Sequence, residues 1–284
     1  MTVQGWQYET DRREQAYDVL CLWGQSQTKD GSALDPDVDI VDSRVKQWLQ
    51  FNGIGGKSSI FAGDEPLQHP LVWPSQIGFT VAFAREYYVP NVLATGRKLL
   101  IVPDGTNGTG FDDEHWNVGG DLYEAAVARA IGALSTHPDN TFVGWLWAQG
   151  EEEALAGGWT EESYGVAFDA MQANARSRIP GGATAPWVSL RLNPTWVGAV
   201  EDRLAIQASI DDLPNRDAYS AVADTAGQAS SDGLHFTASA MRSIGAGTVA
   251  DTAGQASSDR LHFTASAMRS IGAGTVATAY ASLL

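Results

Sequence analysis

The chain has 284 residues, 44% hydrophobic and 18% charged, and its 34 acidic against 18 basic side chains give a formal net charge of -16. These proportions fit a soluble globular protein built on one sizeable core, and the acidic excess excludes nucleic acid and anionic membranes as partners by repulsion. The single cysteine, Cys21, excludes an intrachain disulfide.

Residues Met1 to Arg13 are polar and carry Glu9, Asp11, Arg12 and Arg13, so they lack the apolar core of a signal peptide. No later run is long enough to span a membrane, and the expectation is a soluble chain with no visible export address. The first strong signal is Val19 to Trp23, a short apolar run that breaks into Gly24-Gln25-Ser26-Gln27. It reads as a buried strand, with Cys21 a small core hydrophobe, ending in a turn that carries a serine. Read alone, the tetrapeptide is a polar turn closing a strand. The space just past the carboxyl end of a central parallel strand is, however, where open α/β sheets bind ligands.

Lys29 to Asp42 is polar and aspartate-rich, and with the segments Arg44 to Trp48 and Ile60 to Pro70 it reads as long loops over a site. Gly53, Gly55 and Gly56 mark a structural turn, since no lysine follows at P-loop spacing and no dinucleotide fingerprint is present. Ile77 to Tyr88 has apolar residues at helical spacing, and Pro90 is expected to stop that helix. Lys98 to Val102 is a second strand, followed by the turn-forming run Pro103 to Phe111. Asp121 to Thr136 is a helix, Phe142 to Trp147 a third strand, and Thr160 is placed to cap a helix over Glu161 to Ser177. Trp187 to Leu192 is a fourth strand, Val200 to Asp211 a helix, and Tyr219 to Ala223 a fifth strand. Strands alternating with helices at this spacing call for a parallel sheet with crossover helices on both faces. The expected fold is therefore α/β, a three-layer α/β/α sandwich on a five-stranded parallel sheet, forming one domain over residues 1–284.

The tail contains a tandem duplication. Ala223 to Val249 recurs as Ala250 to Val276 with one change, Gly233 becoming Arg260. Two copies are too few for a solenoid. Each holds an Asp-x-x-His, Asp232 with His235 in the first and Asp259 with His262 in the second. The first copy directly follows the fifth strand, so it is expected to furnish the functional pair while the second is an appendage. The repeat also allows identical segments to exchange between protomers.

Polar groups thus stand after the first strand (Ser26), the second (Asn107, Gly108, Thr109), the third (Gln149, Glu151) and the fifth (Asp232, His235), all on one edge of such a sheet. Serine acyl transfer needs a nucleophile, a base, a group that holds the base, and donors aimed at the developing oxyanion. The edge supplies a candidate for each. Glu151 has two readings, support for the oxyanion loop or the substrate, and a buried glutamate paired with an arginine, of which the second is favoured. His69, His115 and His137 lie on predicted loops with no carboxylate at helix spacing, and no metal and no cofactor are expected.

These blocks resemble the SGNH hydrolase superfamily and, within it, the sialate O-acetylesterase-like carbohydrate esterases. Gly24-Gln25-Ser26-Gln27 is similar to the family's GQSN, Asn107-Gly108-Thr109 to its GGT, Trp147 to Glu153 to its W-x-QGE-S-D, and Asp232-Gly233-Leu234-His235-Phe236 to its D-G-x-H-F. Ile77 to Arg85 is similar to its GP-x-x-x-FA segment, and the order of the blocks agrees. Gln27 and Asn107 depart from the family's asparagine and glycine. The resemblance implies Ser26 as nucleophile, His235 as general base and then acid, and Asp232 as its orienting partner. It implies oxyanion donors from the Ser26 N–H, a backbone N–H at Asn107 or Gly108, and the Gln149 amide, with an acetylated carbohydrate as substrate. Two other readings remain open on the same residues: a non-catalytic glycan-binding module of a phage or surface assembly, favoured by Trp48, Trp73, Trp116 and Trp159 on predicted loops, and a lipase or thioesterase on the same fold.

Overall fold

The computed structural model describes residues 15–31, 34–40, 42–50, 58–70, 76–230, 232–246 and 276–284. Its centre is a seven-stranded sheet in the order β3-β2-β4-β1-β5-β6-β7. Five strands are those expected from the sequence: β1 (Tyr17–Gly24), β4 (Lys98–Gly105), β5 (Thr141–Ala148), β6 (Trp187–Leu190) and β7 (Ser220–Ala223). All five run parallel, with β1 between β4 and β5.

The two strands not expected are β2 (Val45–Gln50) and β3 (Ser58–Ala62), which replace what reads in the sequence as loop. β2 pairs parallel with β4, and β3 closes that edge antiparallel to β2. Lys46, Gln47 and Gln50 dilute the apolar signal of β2. Its pleat nevertheless sends Val45 to one core and Trp48 to the other, so pairing with β4 decides what a short polar-interrupted run could not. The turn at Gly53, Gly55 and Gly56 lies outside the described residues.

Alternation along β1 builds both cores from one strand. Val19, Cys21 and Trp23 face one side, where α2 (Asp121–Leu134) adds Ala126, Val127 and Ala130, and α4 (Glu161–Arg178) adds Phe168 and Met171. Leu20 and Leu22 face the other side, with Phe83 of α1 (Thr80–Phe83), Met241 and Ile244 of α6 (Ala238–Ala246), and Tyr280 of α7 (Val276–Ala281). Two further helices, α3 (Glu151–Ala156) and α5 (Glu201–Asp211), follow β5 and β6. Thr160 caps α4 as expected, in a reciprocal capping box with Ser163.

Pro90 does not end the helix. A π-helical turn at Ala84–Tyr88 intervenes, and Pro90 then lies in the first turn of the segment Val89–Asn91, where its missing N–H costs little. Trp48 and Trp116 are buried and so are core residues, not loop contacts, and Trp73 lies outside the described residues. The second copy of the repeat also lies outside them, except Val276, which begins α7. Tyr280 of that helix donates to the Val143 carbonyl at 2.7 Å and packs against Phe83 at 5.3 Å between ring centroids. Residues beyond the duplication therefore return to the same core that α6 of the first copy joins.

Candidate active site

Gly24 ends β1 at φ 129°, and a Cβ there would overlap the Ala148 carbonyl of β5. Only glycine permits so close an approach at that φ. The Gln25 N–H donates to the same carbonyl at 2.9 Å, and a 3₁₀ turn over Ser26–Thr28 follows. Ser26 consequently sits at the carboxyl end of the central strand, between β4 on one side and β5 on the other. Here the chain order reverses across the sheet.

Across from it, Asp232 and His235 lie on the connection between β7 and α6. That connection is held by the Ser230–Phe236 bridge and by Ser230 Oγ donating to the His235 carbonyl at 2.8 Å. Asp232 Oδ1 accepts the N–H groups of Leu234 at 2.9 Å and His235 at 2.7 Å, while its Oδ2 lies 2.7 Å from His235 Nδ1. His235 Nε2 lies 3.1 Å from Ser26 Oγ. With its proton on Nδ1, the imidazole donates to Asp232 and accepts from Ser26, the direction needed to take the hydroxyl proton. Partial burial would raise the Asp232 carboxyl, but the hydrogen bonds from the His235 ring and from the two backbone N–H groups outweigh it and hold the group down at about 2. Asp232 is thus ionised wherever the histidine can act.

Gly233 stands between these residues at φ 90°. Arg260 occupies the equivalent position of the second copy, so only the first copy carries a residue suited to this backbone. Gln27 contributes a contact the sequence did not reveal: its Nε2 donates to the Leu234 carbonyl at 2.8 Å, tying the serine turn to the histidine loop. This is what the longer side chain achieves in place of asparagine.

The other expected donors line the same edge. Gly108 adopts φ 60°, and Asn107 Nδ2 donates to Asp30 Oδ2. The loop is pinned by Thr106 N–H donating to the Gly24 carbonyl at 3.0 Å, and by Thr109 Oγ donating to the Thr106 carbonyl at 2.7 Å. Gln149 is buried at the end of β5. One Nε2 hydrogen goes to Glu153 Oε2, and its Oε1 accepts from the Tyr164 hydroxyl at 3.1 Å.

Among the described residues no arginine pairs with Glu151. Its carboxylate accepts from Gln25 Nε2, and burial raises its pKa against the opposing effect of that hydrogen bond. Arg129 pairs with Asp104, both side chains being almost wholly buried.

Two further buried groups were invisible in the sequence. Lys29 Nζ donates to the Gly105 carbonyl at 3.0 Å, and burial lowers the amine to about 8. His69 Nδ1 accepts from the Gly105 N–H at 2.7 Å and is kept neutral, its pKa held well below the usual value by burial. Together they clamp the peptide just before the Thr106 to Gly108 loop. His115 lies 2.5 Å from Asp121, and His137 accepts from the Asp139 N–H at 3.1 Å, both away from Ser26. Among the described residues no cluster of three potential metal ligands occurs and no helix is long and apolar enough to cross a membrane.

A mostly parallel sheet with a helical layer on each face, and polar groups gathered at its switch point, defines an α/β fold. The profile of the family "Carbohydrate esterase, sialic acid-specific acetylesterase" matches residues 17–254, and the chain belongs to that family; it is a carbohydrate O-acetylesterase. Among solved structures it is similar to NanS, at 22% identity and TM-score 0.62 over 81% of this chain and 94% of that one. It is also similar to an Arabidopsis thaliana protein, at 17% identity and TM-score 0.62, covering 81% and 95%. A carbohydrate acetylesterase from Xanthomonas citri aligns at 20% identity and TM-score 0.55, covering 80% of this chain and 54% of that one. None of the curated proteins compared matches the chain significantly.

Proposed function

We propose that this protein removes O-acetyl groups from a carbohydrate through an acetyl-enzyme on Ser26. The observation that carries the reading is the continuous hydrogen-bonded chain Ser26 Oγ–His235–Asp232, at 3.1 Å and 2.7 Å. His235 Nε2 takes the hydroxyl proton as Ser26 Oγ attacks the acetyl carbonyl carbon. The tetrahedral oxyanion is met by the Ser26 N–H, a backbone N–H at Asn107 or Gly108, and the Nε2 hydrogen of Gln149 that Glu153 does not take. Collapse breaks the bond to the sugar oxygen, which leaves with the proton from His235. Water then attacks the acetyl group with His235 again as base, and acetate departs from a regenerated Ser26.

Acid-base chemistry on these side chains needs no resident metal or cofactor. The family's description directs the substrate toward O-acetylated sialic acids, and the Xanthomonas citri relative toward acetylated carbohydrate more broadly. Two results test the reading. Hydrolysis of p-nitrophenyl acetate should vanish in Ser26→Ala with folding intact, and a panel of acetylated saccharides should be preferred over long-chain acyl esters. Undiminished turnover by Ser26→Ala would remove the serine from the mechanism.

A further inference from the structure

Glu153 enters no step of the reaction above. We infer that Glu153 is a positioning residue for Gln149, its carboxylate setting which way the amide points and coupling it to the loop of Asn107 and Gly108. The inference deepens the reading of Gln149 as an oxyanion donor and rests on it.

Each oxygen of the Glu153 carboxylate serves one arm of the site. Oε2 accepts from Gln149 Nε2, and Oε1 accepts from the Phe111 N–H at the end of the Asn107-Gly108 loop. Gly110 leaves the space for this approach, since a Cβ there would overlap Glu153 Oε1 and come within 2.9 Å of Gln149 Nε2. The Tyr164 hydroxyl donates to Gln149 Oε1 at 3.1 Å and to its backbone carbonyl at 3.2 Å. An amide has two donors on one end and an acceptor on the other. Here the acceptor end faces a hydroxyl donor and the donor end faces a carboxylate. A flip would set Oε1 against the carboxylate, while the Tyr164 hydroxyl could accept from Nε2 as readily as it donates to Oε1, so it is the carboxylate that selects the orientation and leaves the second N–H to point at the reacting group. A neutral acid or amide at 153 removes that constraint, because it can donate as well as accept.

The environment makes this carboxylate sensitive to pH. Burial pushes Glu153 up to about 7, opposed by the hydrogen bonds from Phe111, Gln149 and the backbone N–H groups of Glu153 and Asp112. Glu151 precedes it on α3, Asp112 and Asp113 lie on the facing loop, and Tyr164 and Arg216 lie on the α4 side, where Tyr164 feels both glutamates as like charges. None of these groups forms an ion pair with Glu153 among the contacts that hold it.

A carboxyl with a raised folded-state pKa is best accommodated neutral. Its favourable contribution is present below its unfolded pKa and is lost as pH rises through about 7. Glu153→Gln should therefore match or exceed the parent in melting temperature on the alkaline side. A carboxylate kept only for structure would leave the variant less stable there.

The decisive experiment reads the amide itself and then its effect on turnover. Side-chain ¹H–¹⁵N resonances of Gln149, assigned by their loss in Gln149→Ala, should shift through a midpoint near pH 7 in the parent and stay fixed in Glu153→Gln. With p-nitrophenyl acetate, Glu153→Gln should lower kcat by about tenfold or more with KM unchanged, since misdirecting one oxyanion donor acts in the transition state. In the Gln149→Ala background the same substitution should cost less than about threefold, because its target is gone. Equal losses in both backgrounds, or Gln149 resonances that titrate alike in parent and variant, would overturn the inference. The amide titration needs no turnover and, in the parent, no change at 153. It separates this inference from the fate of the esterase mechanism, which Ser26→Ala tests.

Discussion

Replacing Arg129 by Met isolates a buried ion pair that supports the end of β4, the strand leading into the Asn107-Gly108 loop. Arg129 Nη2 pairs with Asp104 Oδ1, and their side chains are 7% and 0% exposed, so solvent screening cannot soften the loss. Burial raises the Asp104 carboxyl to about 6 even though Arg129 pulls it down. Methionine fills similar volume without the charge. On the alkaline side the substitution leaves an ionised, unpaired carboxylate in the core, at a cost of about 3–5 kcal/mol. Removing the cation also raises the Asp104 pKa further, so acidification neutralises the group and relieves most of that cost. The sign follows from linkage: for a carboxyl whose pKa is raised by folding, stability is greatest below its unfolded pKa and declines as pH rises through the folded one. Urea unfolding of parent and variant at about pH 8 and about pH 5 measures the difference, which should shrink on acidification to about 1–3 kcal/mol, the cost of one unsatisfied buried polar group. The double variant Asp104→Leu, Arg129→Met should recover much of the alkaline loss. A pH-independent cost for Arg129→Met would refute the argument that the buried carboxylate carries it.

Other expectations follow from the site. His235→Ala should lower kcat on the order of 10⁴-fold with little change in melting temperature, as a general base is lost from a partly exposed side chain, whereas His262→Ala should leave turnover near normal; the reverse pattern would put the second copy in the site. The rate should carry a partial fall as acidification through about pH 7 protonates Glu153 and releases Gln149, and Glu153→Gln should remove that component of the pH profile. Because the mechanism proposed for Ser26 runs through imidazole, EDTA should not change the rate, and activity abolished by EDTA and restored by zinc would contradict it.

Much of the edge that carries the site was legible before any coordinates. The apolar run ending at Gly24 announces a buried strand through its continuity, and the polar residues after four such runs mark a single edge once the strands are parallel. That inference needs only the period of the side chains and the handedness of crossovers. The pairing of Gln149 with Glu153 also left a trace, in residues four apart at the start of a helix, though three successive glutamates obscured which one mattered.

What the sequence by itself determined was the set of residue types and their order: Ser26, the Asn107-Gly108 turn, Gln149, and an Asp-x-x-His duplicated in the tail. Tertiary structure alone decided the rest. It made strands of Val45–Gln50 and Ser58–Ala62, because the first forms by pairing with β4 and the second by pairing with the first, not by their own propensity. It gave Glu151 the amide of Gln25 in place of an arginine, and hid Lys29 and His69 around Gly105, since such contacts join residues far apart in the chain. It brought Asp232 and His235 of the first copy to Ser26. Two nearly identical segments differ in local preference only at Gly233 and Arg260, and a backbone at φ 90° with Gln27 reaching across to Leu234 is a property of the folded site, not of either segment.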